Sequence, residues 1–225
     1  MGRFVKDAGL SIFFLVIFVL AVVGQAFAGH AQNNEELLRH GQPAESLWQF
    51  VTSSEFAVDV AENWQSEFFQ FFLFILMTVW LVQHGSPESK KPGDEGTGSD
   101  ADQLLGSHAR PDSPAWAKVA GFRRWLLSNS LLIVMGAVFL LSWFAQSLAG
   151  TTVANEEAAQ HGEPPMTWAA YLLTPEFWNR TLQNWQSEFL AVGCMVAFSI
   201  YLRQRGSAES KPVGTPNHIT SEESQ

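Results

Sequence analysis

Asn63-Trp64-Gln65-Ser66-Glu67-Phe68 recurs residue for residue as Asn184-Trp185-Gln186-Ser187-Glu188-Phe189, 121 positions further along the chain. Working outward from that hexapeptide, the same shift aligns residues 3–90 with 124–211 without a gap, and 29 of the 88 pairs are identical. The identities include Gln25/Gln146, the Ala-Gly pair at 28–29/149–150, Asn-Glu-Glu at 34–36/155–157, His-Gly-x-Pro at 40–43/161–164 and a closing Gly-Ser-x-Glu-Ser-Lys at 85–90/206–211. The chain is one unit written twice.

What surrounds the hexapeptide sets the environment. Phe68–Val82 and Phe189–Leu202 are apolar runs that follow it directly, and Leu10–Ala28 and Leu131–Ala149 are the corresponding earlier runs. Nineteen helical residues rise about 28 Å, close to the roughly 30 Å of a bilayer's hydrocarbon. The expected fold is therefore an all-α integral membrane protein with four transmembrane helices, arranged as two tandem parallel two-helix repeats about a pseudo-two-fold axis. Repeat 1 covers 1–90, with spans at about 9–28 and 65–83. Residues 91–121 read as a flexible cytoplasmic linker, repeat 2 covers 122–211 with spans at about 129–149 and 186–203, and 212–225 reads as a disordered tail.

Charge orients the spans and narrows the function classes. Of 13 Lys and Arg, all but Arg39 and Arg180 lie in the N-terminus, the central segment or the tail, so both termini and the linker belong in the cytoplasm and the acidic loops outside. A competing reading makes 1–28 a signal peptide, because Ala26-Phe27-Ala28 resembles a cleavage site. The recurrence of an equivalent segment inside the chain favours retention. A net charge of −9 and the lack of a basic stripe exclude nucleic acid as partner. Lone Cys194 excludes an internal disulfide framework, and no phosphate-loop, dinucleotide or nucleophile-elbow pattern occurs, so no cofactor is expected.

Three groups of residues are candidates for chemistry. The second and fourth runs are short, so the hexapeptide turn either dips into the hydrocarbon boundary with Glu67 and Glu188 or stays wet at the surface. Gln25 and Gln146 fall at a matching depth, which makes Gln25, Asn63, Glu67, Gln146, Asn184 and Glu188 a candidate polar site. Its bland alternative is hydrogen bonding that glues a bundle. Asp59 and Arg180 occupy equivalent positions with opposite charge and are expected to pair between the repeats. Glu36/His40 and Glu157/His161 stand at i and i+4 and are weak metal candidates, since two ligands each are too few to specify a metal.

These motifs together, occurring twice with a Gly/Asp-rich linker between, resemble a family of uncharacterised, mainly actinobacterial membrane proteins classed as a domain of unknown function. The resemblance implies a bacterial inner-membrane location and transfers no activity. The expected function is a non-enzymatic membrane protein that binds a partner or small ligand, with the lipid bilayer and a protein partner or second copy as its contacts. The alternatives are a small transporter or proton-linked channel using Glu67 and Glu188, and a membrane metalloenzyme using the Glu/His pairs.

Overall fold

The computed structural model of the chain describes residues 7–220, and among these every regular element is helical. The long helices are α1 (Gly9–Arg39), α3 (Ser54–Trp80), α5 (Ser130–Gln160) and α7 (Pro175–Tyr201), with short helices α2 (Leu47–Val51), α4 (Phe122–Ser128) and α6 (Trp168–Tyr171) between them. Shifting α1 and α3 by 121 residues reproduces the bounds of α5 and α7 at both ends. Only α1 and α5 are long and apolar enough, by length and composition, to cross a membrane among the described residues. No residue of α1 is buried, and Leu10, Phe13, Phe14 and Leu15 all stand exposed. Arg3 and Lys6, which help set the expected orientation, lie outside the described residues.

Local chemistry sets the helix ends. No proline interrupts the chain between Ala28 and Arg39, so α1 runs on past the expected span end at 28 through Asn34–Arg39. It stops where Gly41 turns left-handed at φ 71°, with Gln42 N–H donating to Leu37 O and Gly41 N–H to Leu38 O. This is a Schellman stop, and Gly162 repeats it after α5 at φ 72° with Glu163 N–H on Ala158 O. Ser53 and Thr174 cap α3 and α7 through their hydroxyls, and Pro175 occupies the first turn of α7. Both helices end short of the expected 83 and 203, at Trp80 and Tyr201. The Ser89 and Ser210 hydroxyls accept the Gln83 and Gln204 N–H groups at 2.7 and 2.9 Å, diverting them from the helical ladder.

The chain divides into two compact units, Met1–Ala61 with Ala145–Leu172 and Glu62–Phe144 with Leu173–Gln225. In the first unit, α2 packs on α1 through Phe50, whose ring lies over Gly29, and α6 packs on α5 through Tyr171 over Gly150. The Asn34 amide clamps Glu45 through both its N–H and C=O at 2.8 and 3.0 Å. Asn155 holds Met166 with the same pair of bonds at the same distances. The Ala-Gly, Asn-Glu-Glu and His-Gly-x-Pro identities therefore fold the segment after each long helix back on that helix.

In the second unit, Gly-Ser-x-Glu-Ser-Lys forms a turn twice. Gly85 and Gly206 adopt φ 84° and 83°, and Ser86 and Ser207 accept the N–H groups of Glu88 and Glu209 at 3.2 Å in each copy. The lysine that closes each turn gathers carbonyls, Lys90 from Val79 and Gly96 and Lys211 from Gly85, Pro216, Asn217 and Ile219. Residues 212–220, expected as part of a disordered tail, fold over Lys211. Residues 91–121, expected as a flexible linker, carry two 3-10 turns, Gly106–His108 and Ala115–Lys118.

Candidate functional site

The hexapeptide forms the meeting line of α3 and α7 in the second unit. On α3 the buried positions are Gln65 and Ser66, while Asn63 and Glu67 are exposed. Gln65 Oε1 accepts the Trp185 Nε1 proton at 2.8 Å, so the third residue of the motif in one copy bonds the second residue in the other. Around this bond, Phe69 meets Phe139 and Trp185 with ring centroids 4.5 Å from each, and Phe189 edge-on at 5.6 Å. Trp143 extends the cluster to Phe177 and Trp178, and its Nε1 donates to buried Thr181 at 3.3 Å.

The polar atoms of this seam are not all satisfied. Gln65 is 0% exposed, yet among the described residues its Nε2 has no hydrogen-bond partner, and neither has Gln70 Oε1 on the same helix. In the first unit Gln146, 1% exposed, has both amide atoms unpartnered among the described residues. A buried amide group left this way costs about 1–3 kcal/mol, so a position that keeps one has a packing or binding reason to do so. Glu67 and Glu188 lie close enough in the second unit for their charges to act on each other, with Glu188 half-buried. Asn184 is tied to its own helix through Arg180 O, and Gln25 is half-buried in the first unit.

Arg180 bonds Glu62 Oε2 at 3.2 Å and Glu176 at 3.6 Å. Glu62 sits one helical turn after Asp59, and the second copy has Gln183 in its place. The pair is therefore one that identical copies could not make. Coupling between Glu62→Gln and Arg180→Gln, measured by thermal unfolding in detergent, should be about 0.5–1 kcal/mol, because both side chains are partly exposed and screened. Zero coupling would show the contact contributes nothing.

The equivalent glutamates Glu88 and Glu209 also lie close enough for their carboxyl groups to act on each other. Burial first, and then the charge and hydrogen bond of Glu209, push the Glu88 carboxyl above its ordinary 4.5. A carboxyl raised in the folded state stabilises fully below about 4.5 and loses that contribution as pH rises through the folded value. Glu88→Gln, neutral at every pH and able to donate to Glu209, should flatten the fall in thermal stability between pH 4.5 and neutrality. The gain should stay below about 1 kcal/mol for so exposed a pair. An unchanged slope would mean the two groups do not share a proton.

The Glu36/His40 and Glu157/His161 pairs stand at the ends of α1 and α5. His40 is the last residue before the Schellman glycine, and His161 directs Nδ1 to its own Glu157 carbonyl at 2.9 Å. Among the described residues no three His, Cys, Asp or Glu side chains converge as ligands. The central segment closes over a half-open cavity of about 970 Å³ bordered by Lys90, Asp100 and Arg124. Its cations are engaged, Lys90 by carbonyls and Arg124 by Asp100 and Val119 O.

A family profile matches residues 1–222, nearly the whole sequence. The chain belongs to the family described as a domain of unknown function, DUF6766. No curated protein and no solved structure matches it. Gln65, Trp185, Thr181, Trp143 and Glu62 were not singled out by sequence reasoning. The one signal that could have found Gln65 is its place between the Trp and Ser of the repeated motif, on the face opposite Asn63.

Proposed function

We propose that this DUF6766 chain is a non-enzymatic integral protein of the bacterial cell membrane that binds a small apolar ligand or a partner helix along the α3–α7 seam. Its four spans, two parallel repeats about a pseudo-two-fold axis with both termini cytoplasmic, follow from the apolar runs and the distribution of Lys and Arg. The observation that carries the binding reading is Gln65, a buried amide whose Nε2 lacks an acceptor amid Phe69, Phe139 and Trp185. A ligand that offers one acceptor on an apolar body, as bilayer-soluble molecules do, would satisfy that amide on parting the seam. The expected pairing of Asp59 with Arg180 belongs to the same proposal, beside the Glu62 contact. Purification in lipid nanodiscs followed by mass spectrometry of bound molecules should find a species retained by the wild type and reduced about tenfold in Gln65→Leu. Identical bound species in both would overturn the reading. Alkaline phosphatase fusions at Gly98 and Asn33 test the orientation, and activity at 98 would invert it.

A second reading rests on the mutual influence of Glu67 and Glu188, which makes a proton-linked transporter of the same seam. An acid-pulse flux in proteoliposomes that Glu188→Gln abolishes would favour it over simple binding.

A further inference from the structure

Helix α4 stands one residue before the apolar helix α5, separated from it by Asn129. Its inner side is fixed: Arg124 bonds Asp100 at 2.8 Å and Val119 O at 2.9 Å, and Leu126 and Leu127 are half-buried. Its outer side is unusual for a surface in water. Phe122 is 72% and Trp125 54% exposed, their rings stacked at 5.7 Å and 21°, with exposed Arg123 between them in sequence. Trp116 and Val119 in the segment just before it are exposed as well, and the Lys118 ammonium there donates to Pro111 O at 2.6 Å. No acidic residue lies between Ser113 and Trp143.

Two exposed rings left in water have no driving force to stay there, whereas aromatic rings are favoured at headgroup depth and arginines beside anionic phosphates. A protein partner would answer the apolar area equally well. The charge decides between them, because exposed Arg123 stands between the two rings, Asp100 is already paired with Arg124, and the helix abuts the point where α5 enters its apolar run. We propose that Phe122, Arg123 and Trp125 form a docking face for anionic phospholipid headgroups at the membrane surface beside α5. The proposal rests on the membrane reading above. Each cation near such a surface adds attraction of about 1 kcal/mol, roughly a fivefold preference for anionic over zwitterionic lipid.

The test uses the full chain with Cys194→Ser and Val119→Cys, labelled at the new thiol with an environment-sensitive fluorophore. It is reconstituted into vesicles of phosphatidylcholine alone or mixed with phosphatidylglycerol. Resistance to alkaline extraction is checked first, and extraction would sink the membrane reading itself. With the chain retained, emission should shift to shorter wavelength in the mixed vesicles. That shift should be lost in high salt and in Arg123→Gln, and reduced in Phe122→Ser/Trp125→Ser. Emission indifferent to phosphatidylglycerol, or a shift that follows protein density rather than lipid charge, would overturn the proposal, the latter in favour of a second copy on this face.

Discussion

Lys211→Met should free residues 212–220 and lower stability by about 1–3 kcal/mol, the cost of leaving a buried acceptor unpaired. The lysine is 1% exposed, and its ammonium donates to Gly85 O at 2.5 Å, Ile219 O at 2.8 Å and Asn217 O at 3.0 Å. Burial, and after it the charge of Arg203, holds its pKa below the ordinary lysine value of 10.5, so the carbonyls offset only part of the desolvation. That makes the net loss smaller than three charged hydrogen bonds summed. Replacing a buried charge by an apolar side chain is often neutral, but only when its partners are replaced as well. Here the partners are backbone. Pro216 and Asn217 are exposed and can turn to water, while Gly85 is buried and cannot. Hydrogen exchange should show 213–220 losing protection. Lys90→Met, at the equivalent but half-buried position, should cost less. Equal losses at the two sites would contradict the assignment of the effect to burial.

The duplication is legible because it is written in identities, and those identities have physical work in both copies. Gly41 and Gly162 must turn left-handed, Asn34 and Asn155 must reach a backbone eleven residues ahead, and Gly85 and Gly206 must open the turn closed by a lysine. Such demands are local, so residue type and spacing reveal them. The seam was harder to read because both sides of the hexapeptide are polar. Asn63 and Glu67 announce themselves by polarity and repetition, yet packing turns Gln65 and Ser66 inward. Nor does the repeat say which copy will do so: Gln65 is buried, whereas Gln186 is exposed. That asymmetry arises from the contact of Gln65 with Trp185 on the other long helix, which no periodicity in one helix encodes. The divergent pairs Asp59/Arg180 and Glu62/Gln183 are more informative than the identical ones here. They break the symmetry that two equal copies would keep.

Gly150→Ala should destabilise the chain although alanine is the better helix former. The gain from helix propensity is about 1 kcal/mol. Against it, a Cβ at 150 would lie 2.5 Å from Tyr171 Oη and 2.9 Å from two ring carbons, and Tyr171 is 1% exposed with little room to retreat. Overpacking of this kind costs about 1–3 kcal/mol, so the clash should prevail. Gly29→Ala meets the tip of the Phe50 ring at 2.7 Å and should behave alike. Gly24 and Gly193 lie in the same kinds of helix with nothing within 4 Å of the added carbon, and alanine there should be neutral to stabilising. Thermal unfolding of the four single variants separates the two effects. In a Tyr171→Leu background the ring is gone, so Gly150→Ala should recover most of its loss. A Gly150→Ala variant as stable as the wild type, or one whose loss persists without the ring, would show that α6 does not depend on this close approach.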